Sequence, residues 1–498
     1  MLEGLEISEI SCSRAVSITG EVRWDSDYYQ KKYLINERLI HNLPTVKLST
    51  LCNFVRKGVF DLSPDNYVEC GIPFIRTSEI KHPTINFSTT AFLVNKIHLE
   101  NIKTQLQPND LVFTKIGAYI GDVALLPPYY EQYNFSQNVA GASIKNKIDG
   151  AYLLAFFLAS EGRLQVLRSA MLSGQGKLEL DDIRNYEIPV ISVLLKQKLH
   201  DVLDCKYKVD LESSRAYGRA EKVLLDAVGL ADFEPSTQNT NIKTFAQSFG
   251  TNGRLDAEYY QPKYEVFENT IKSHPNGYTL ISHEYDHFCA VSRKPKLAYN
   301  YIEISDVNVS DGTNSPNLLE TSELPANAKY EVKKGDLIIS KVRPNRGAVT
   351  VIESDGDNLI VSGAFTVLRE KPESVFTKEV LKVLLRTPIY REWLLQFNIG
   401  TQYPVIRDDD ILNLPIPKID IATQTNISEL VQQSFSLKAE SERMLEAAKR
   451  AVEMAIETNE DAALAWLNAN IADLLSMQTD VELKLPQLAD VPIAADFS

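Results

Sequence analysis

The chain has 498 residues, 44% of them hydrophobic and 24% charged. This globular composition excludes a disordered or fibrous protein, and the length allows about two to four domains with separate cores. Lysine and arginine number 52 against 66 acidic residues, so the formal net charge is −14. Taken over the whole chain, that sign argues against a nucleic-acid-binding protein.

Cysteine usage and hydropathy predict a protein of the reducing cytoplasm. The five cysteines lie far apart and form no CxxC pair: Cys12, Cys52, Cys70, Cys205 and Cys289. This spacing predicts neither a disulfide framework nor a thiolate zinc site. No apolar run approaches the roughly 20 residues that cross a bilayer, and the acidic first residues do not resemble an export signal. We therefore expect no membrane association.

The chain contains an internal repeat, which has to be recognised before any motif is interpreted. Three blocks recur in the same order: RWDSDYYQKKY (23–33) as RLDAEYYQPKY (254–264), PNDLVFTKIGAYIGDVALL (108–126) as KGDLIISKVRPNRGAVTVI (334–352), and DDIRNYEIPV (181–190) as DDILNLPIPK (409–418). Their offsets vary only between 226 and 231 residues. A tandem duplication with small loop changes explains this pattern.

Each copy shows the same order of predicted elements. A Tyr-rich helical segment precedes several strand-like runs, an amphipathic helix and, at the end, a long helix. Near-heptad apolar residues predict the long helices from Leu194 to about Val228 and from Gln424 to about Ile456. A helix of about 35 residues spans roughly 50 Å, which is too long for one small domain to cover. We expect the two helices to pack as an antiparallel coiled coil, with two ordinary core helices as the alternative.

The predicted fold class is α+β (mixed), with two tandem domains separated by the long helices. The predicted boundaries are an N-terminal helical segment (1–43), a first domain (44–190), a central spacer helix (191–230), a linker with the second helical segment (231–275), a second domain (276–418), a C-terminal spacer helix (419–458) and an acidic extension (459–498). The extension contains an amphipathic helix that the first copy lacks. The tyrosines of the helical segments are predicted to pack each domain onto the spacer helices.

The string His283-Glu284-Tyr285-Asp286-His287 satisfies the HExxH pattern of zinc hydrolases. In those enzymes a helix places both imidazoles on one face, and the glutamate activates water. Here the string lies between a turn and a β-like run without helical periodicity, and the first copy lacks it. A zinc hydrolase that uses His283, Glu284 and His287 is kept as an alternative.

Other catalytic signatures are missing or incomplete in the sequence. Leu126-Pro127-Pro128-Tyr129 resembles the base-binding tetrapeptide of amino-methyltransferases but begins with leucine, so a turn is the better interpretation. No phosphate-binding GxxxxGKS/T loop occurs. The acidic runs Asp181-Asp182 and Asp408-Asp409-Asp410 are interpreted as helix starts, where carboxylates accept backbone N–H bonds.

The repeated motifs resemble those of the specificity subunit of type I restriction-modification systems. They are the G/N-D-hydrophobic-S/T-K runs ending at Lys115 and Lys341, the cluster Gly400-Thr401-Gln402 with Gly174-Gln175 in the first copy, the D-D-I-x-N-x-x-I-P element, and the glutamines Gln197 and Gln424 near the start of each long helix. No single motif is very specific, but their order recurs in both copies. The resemblance covers about residues 20–457.

This resemblance implies a non-catalytic subunit with two target-recognition domains. The domains would read the two halves of a bipartite double-stranded DNA target, and the spacer helices would set their distance and dock two methyltransferase subunits. S-adenosylmethionine, ATP and Mg would belong to those modification subunits and to a restriction/translocase subunit, so this chain would hold no cofactor or metal. A phage-defence scaffold with degenerate recognition domains that bind protein is a second alternative.

Candidate DNA-contacting residues are side chains in predicted loops that suit base edges or phosphates. They are Arg56, Lys57, Arg76, Thr77, Ser78, Lys115, Gln175 and Lys177 in the first copy, and Arg293, Lys294, Lys341, Arg343, Arg346, Thr401, Gln402 and Tyr403 in the second. Lys115 and Lys341 occupy matching positions, which favours a shared phosphate contact. Arg343 replaces Gly117, as expected if the two halves read different sequences.

The negative charge is concentrated at the C-terminal end, because residues 453–498 contain nine acids and one lysine. This net charge of −8 leaves −6 for the other residues. We predict that the chain alone binds DNA weakly, because partner subunits would supply much of the phosphate contact. A mobility-shift titration at about 150 mM salt checks this, and tight binding by the isolated chain would contradict it.

Overall fold

The structure is a computed structural model, and it describes residues 8–10, 26–60, 62–87, 90–117, 119–170, 176–231, 233, 238, 240–400 and 403–476. The chain divides into two compact units, which are residues 1–211 with 437–491 and residues 212–436 with 492–498. Each unit therefore contains a part of both long helices. No helix in the described ranges is long and apolar enough to span a membrane. Arg23 of the first repeat block and the acidic residues after 476 lie outside these ranges.

The first unit contains twelve described strands. They are β1 (Thr45–Lys47), β2 (Cys52–Lys57), β3 (Tyr67–Val68), β4 (Ile72–Ile75), β5 (Ile80–Lys81), β6 (Thr84–Ile85), β7 (Ala91–Leu93), β8 (Leu111–Thr114), β9 (Val123–Leu125), β10 (Asn134–Phe135), β11 (Val139–Ile144) and β12 (Glu187–Pro189). One antiparallel sheet has the order β2-β11-β8-β9, and a second sheet has the order β10-β4-β7-β3. β4 and β10 are parallel. β1 and β12 form an antiparallel pair, and so do β5 and β6.

The helices of the first unit cover its sheets. They are Lys31–His41, Leu48–Leu51, Asn95–Glu100, Ile148–Leu158, Ser160–Ala170, Leu180–Asn185 and Glu460–Ser476, together with parts of the first long helix (Val193–Ala227) and the second long helix (Ile421–Glu457). Helix Ile148–Leu158 is apolar almost all round, and residues 150–157 are all buried. Its side chains share one core with β8, β11 and both long helices. The predicted amphipathic helix of the extension also joins this core, through Ala463, Leu467 and Ile471.

The second unit contains ten described strands. They are β13 (Tyr278–Leu280), β14 (Tyr285–His287), β15 (Ala298–Ile302), β16 (Asn317–Glu320), β17 (Ala328–Glu331), β18 (Leu337–Ser340), β19 (Val349–Val351), β20 (Leu359–Ser362), β21 (Phe365–Glu370) and β22 (Pro415–Pro417). Its shorter helices are Phe249–Asn252, Pro262–Lys272, Ile281–Glu284, Lys378–Arg386, Pro388–Leu394 and Asp408–Leu412. The sheet orders are β14-β21-β18-β19, β16-β15-β20-β17 and β13-β22.

The antiparallel sheet of the first unit recurs in the second with the same strand order, and the other four-stranded sheet recurs only in part. The antiparallel sheet β2-β11-β8-β9 corresponds to β14-β21-β18-β19, and the parallel pair β4/β10 corresponds to β15/β20. A buried carboxylate stabilises the start of the third strand in each antiparallel sheet. Asp110 accepts from the backbone N–H groups of Gln107 and Ile144 at 2.8 and 2.7 Å. Asp336 accepts from Lys333 N at 2.9 Å and from two Arg369 nitrogens at 2.7 Å. The aspartate of the repeated motif is therefore structural.

The two long helices run antiparallel where they contact each other. In the first unit, Ser441 Oγ donates to Asp210 Oδ1 at 2.6 Å. In the same unit, Ser192 N, just before the first long helix, donates to Glu460, just after the second, at 3.0 Å. Residue numbers thus rise along one helix as they fall along the other. The bounds of both helices agree closely with the predicted ones, whereas coiled-coil packing remains a prediction.

The Tyr-rich segments pack against the helices that follow the sheets. The Arg168 guanidinium lies 3.9 Å from the centroid of the Tyr28 ring and donates to the Tyr28 carbonyl at 3.0 Å. In the second unit, Gln396 donates to the Tyr259 carbonyl at 3.1 Å. These contacts are made with each domain's own helices. Tyr264 of the second segment also shares a buried core with Leu224 of the first long helix, as the sequence predicts.

Lys382 is a lysine buried in the core of the second unit. It is 1% exposed, its Nζ lies 3.8 Å from the centroid of the Phe435 ring, and within the described ranges that atom has no hydrogen-bond partner. Burial, followed by the charge of Arg386, lowers the pKa of Lys382 well below its ordinary value. Leu154 is at the corresponding position of the first unit and is 2% exposed.

We predict that Lys382→Met stabilises the second unit and weakens its pH dependence. A lysine whose pKa is lowered on folding binds protons more readily in the unfolded chain. The free energy of unfolding of the wild type should therefore rise with pH toward the ordinary lysine pKa of about 10.4, and fall toward acid. Thermal unfolding between about pH 6 and 9 measures this slope. Lys378→Met, at a partly exposed position, is the control, and equal slopes for wild type and Lys382→Met would refute the prediction.

Candidate nucleic-acid interface

Many of the predicted DNA-contacting residues lie on one hairpin in each unit or beside it. The first hairpin, residues 115–122, joins β8 to β9, and the second hairpin, residues 341–348, joins β18 to β19. The two loops occupy the same position in sheets of the same strand order. A buried sheet is a rigid scaffold that positions the variable side chains of such a loop.

The first hairpin brings three lysines together. Lys115 is 8% exposed, and Lys57 and Lys177 lie close enough to act on its charge. Burial and the charge of Lys177 lower the pKa of Lys115, and Lys57 adds to this, while Glu179 opposes it. The same Glu179 lies 2.6 Å from the Lys177 Nζ, so this carboxylate is shared between Lys177 and Lys115. A phosphate placed here would relieve their mutual repulsion.

Other predicted residues of the first unit have structural roles or lie apart. Arg76 donates from Nε and Nη2 to Glu79 at 3.1 and 2.8 Å, and Ser78 Oγ donates to the same buried carboxylate at 2.8 Å. Both side chains are therefore engaged within the protein. Arg56 stacks on Phe54, with its Cζ 4.9 Å from the ring centroid.

Thr77 lies beside the first hairpin, because a Cβ added at Gly117 would be 3.8 Å from Thr77 Oγ1. In the same hairpin, the exposed ring of Tyr119 lies 5.1 Å from the Lys81 Nζ. Sequence reasoning missed Tyr119, although its place in a repeated loop could have indicated it. Gln175 lies outside the described residues.

Lys341 in the second hairpin matches Lys115 in position but has different charged neighbours. Its Nζ lies 3.1 and 3.2 Å from the two carboxylate oxygens of Asp408. Burial opposes ionisation of Asp408, but a 2.6 Å hydrogen bond from Thr366 and the Lys341 ammonium outweigh it and lower the pKa of Asp408. Leu180 occupies the position of Asp408 in the first unit, so Lys341 has this carboxylate partner and Lys115 does not. Asp408 was interpreted only as a helix start, and its helix does begin there.

Arg343 presents a stacked guanidinium on the second hairpin. Its Cζ lies 4.1 Å from the centroid of the Tyr403 ring, which is 51% exposed. Its N–H donates to the Pro404 carbonyl at 2.7 Å, and its φ is 50°. A left-handed conformation costs an arginine about 1–2 kcal/mol, and such strain is concentrated at functional sites. Arg346 is exposed on the same hairpin.

Arg293 and Lys294 lie in a different loop of the second unit. Ser292 N donates to the Lys329 carbonyl at 2.9 Å, so this loop is attached to β17. Arg293 is exposed, and Lys294 has a φ of 54°. Thr401 and Gln402 lie outside the described residues.

The HExxH string does not form a metal site. A short helix ends at Glu284, and β14 begins at the next residue, so the two histidines do not share a helix face. Glu284 is buried and accepts from Ser374 Oγ and Val375 N, both at 3.0 Å. Across the described residues, no cluster of three or more His, Cys, Asp or Glu side chains could hold a metal ion. The zinc-hydrolase alternative therefore has no support.

Comparison with known proteins finds a family match that covers the first domain. A family model described as the type I restriction modification DNA specificity domain matches residues 42–204. The HindI type I restriction enzyme specificity subunit of Haemophilus influenzae is 27% identical over 137 residues, which is 26% of this chain and 30% of that relative. The aligned part thus spans under a third of the curated relative.

Solved structures are also similar over most of the chain. The HsdS subunit from Thermoanaerobacter tengcongensis is 15% identical, with 84% of this chain and 97% of that chain covered and a TM-score of 0.27. The type I restriction-modification S subunit from M. genitalium is 10% identical, with 86% and 96% covered and a TM-score of 0.34.

We predict that Lys115→Gln weakens binding to all DNA sequences alike and lowers the salt slope of binding by about one, as expected for one lost phosphate contact. Lys341→Gln should have a smaller effect, because Asp408 already neutralises that lysine. Lys96→Gln, whose side chain is 81% exposed, is the control. Titration of a labelled duplex at several salt concentrations measures these slopes. An unchanged slope for Lys115→Gln would show that Lys115 makes no phosphate contact.

Proposed function

We propose that this chain, whose residues 42–204 belong to the family of type I restriction-modification DNA specificity domains, is the sequence-reading subunit of such a complex. Specificity subunits recognise DNA and are not themselves enzymes. The observation that carries the proposal is the pair of hairpins at one position of two sheets with the same strand order. They share a lysine and differ in their other exposed side chains.

This pattern of shared and different residues matches the two tasks of a DNA-binding loop. Phosphate contacts are the same for every sequence, so a lysine at one position in both copies suits them. Base contacts must differ if two domains read different sequences. Arg343, stacked on Tyr403, has its guanidinium oriented in advance for a bidentate contact, which arginine makes with guanine. The first hairpin offers Gly117 and Tyr119 instead.

The two target-recognition domains are proposed to be residues 44–190 and 276–418. In each, a strand near the start pairs with a strand near the end, β1 with β12 and β13 with β22. Each domain thus closes on itself before the long helix that follows. We propose that the domains read the two halves of a bipartite target, since the duplication supplies within one chain the two similar readers that dimeric DNA-binding proteins obtain from two chains.

We propose that two methyltransferase subunits dock on the long helices, and that a restriction/translocase subunit joins them in the cytoplasm. Val193 and Ile421 open the two helices at matching positions and are 77% and 76% exposed. Leu194, beside the first, is 59% exposed. Apolar residues left in water at both helix starts support docking of one type of partner at each. S-adenosylmethionine, ATP and Mg would be bound by those partners.

Methylome sequencing of the host with and without this gene tests the function. We expect deletion to abolish methylation of one bipartite motif, and complementation with the wild-type gene to restore it. Complementation with Arg343→Ala should change or abolish that motif, whereas Lys96→Ala, at an exposed position outside the long helices, should restore it. A methylome that deletion leaves unchanged would refute the proposal and favour a scaffold with degenerate recognition domains.

A further inference from the structure

In each unit, two consecutive helices follow the antiparallel sheet, and an arginine of the second of these helices donates a hydrogen bond to the backbone of the hairpin. In the first unit, Arg163 of helix Ser160–Ala170 donates from Nη1 to the Gly121 carbonyl at 2.7 Å. Its Nη2 lies 3.6 Å from Asp122 Oδ1. Gly121 has a φ of 83°, and a Cβ added there would lie 2.7 Å from a methyl carbon of Val166. The end of the first hairpin is thus packed tightly on this helix.

In the second hairpin the equivalent arginine bonds a carbonyl two positions earlier in the loop. Arg391 of helix Pro388–Leu394 donates from Nε to the Asn345 carbonyl at 2.6 Å. A Cβ added at Gly347, whose φ is 74°, would lie 3.2 Å from the Arg391 Cδ. A second arginine also acts here, because Arg386 donates from Nη1 to the Gly347 carbonyl at 3.0 Å. Leu158 stands at the corresponding position of the first unit, so the first hairpin lacks this additional bond.

Arg163 and Arg391 are equivalent positions of the repeat. Each arginine lies four residues after a residue with extended backbone, Ala159 or Thr387. That residue separates the two consecutive helices. The offset of 228 residues is also that of the D-D-I-x-N-x-x-I-P block. The arginine is therefore present in both copies, while the hairpin residues that it holds have diverged.

We infer that Arg163 and Arg391 are positioning residues that order the two hairpins for DNA recognition, an inference that rests on the proposed function. Each loop carries candidate reading residues but has little regular structure of its own, so its order depends on bonds from outside the loop. A guanidinium that donates to a loop carbonyl makes a charge-assisted bond, stronger than a neutral one. The first hairpin depends on one such arginine, whereas the second shares the task between two.

Hydrogen exchange of the full chain tests the ordering. Arg163→Gln should speed exchange of the backbone amides of residues 115–122 by about tenfold and leave residues 341–348 unchanged. Arg391→Gln should act on residues 341–348 alone, and less strongly, because Arg386 remains. Arg163→Lys, which keeps the charge and a donor, should restore much of the protection. Unchanged exchange in both hairpins, or faster exchange throughout the unit, would overturn the inference.

DNA binding by the complex of this chain with its modification subunits tests whether recognition depends on the ordered hairpins. Arg163→Gln should weaken binding by about tenfold and reduce discrimination against base changes in one half of the target only, with an unchanged salt slope. Lys96→Gln, whose side chain is 81% exposed and lies outside the long helices, is the control. A salt slope lowered by about one would instead make Arg163 a phosphate contact and overturn its positioning role. If the wild-type complex shows no sequence preference, the proposed function fails, and hydrogen exchange still decides whether the arginines order the hairpins.

Discussion

Burial of the apolar faces of the two long helices is the interaction on which the rest of the structure depends. An isolated helix is marginally stable in water, and tertiary contact supplies most of its stability. Each buried leucine or isoleucine contributes about 1.5–3 kcal/mol. The core of the first unit includes Leu195, Leu199, Val202, Ala448, Ala451 and Val452, and that of the second includes Ala220, Leu224, Ile427 and Val431. Neither core is complete without residues of both helices.

The proposed DNA-contacting loops are supported from these cores through a sequence of contacts. In each unit one helix, Ile148–Leu158 or Lys378–Arg386, shares a core with the long helices and with the antiparallel sheet. The helix that follows supplies the arginine bonded to the hairpin. One supporting arginine, Arg163 or Arg391, is present at the same position in both copies, whereas the exposed hairpin residues differ. This division lets a recognition loop change its sequence without loss of the fold.

Several features could be predicted because they depend on neighbours along the chain. The helix bounds followed from apolar periodicity, and the helix starts at residues 180 and 408 followed from acidic residues that favour the first turn. The recurrence of strand order was implied by the constant offsets of three sequence blocks. The candidate site was less predictable, because exposure and charge pairing depend on residues distant in sequence. Arg76 was predicted to contact DNA, but Glu79 holds its guanidinium.

The sequence by itself determined the duplication, the order of elements, the two long helices and the family that the motifs resemble, because each of these follows from local pattern or from self-similarity. Only the tertiary structure decided the electrostatic environment of each candidate. Lys115 and Lys341 are identical in the repeat, yet one lies among lysines and the other lies against Asp408. The physical reason is that the charge a ligand meets is set by residues brought together across 60 or more positions of the chain, such as Lys341 and Asp408, 67 residues apart.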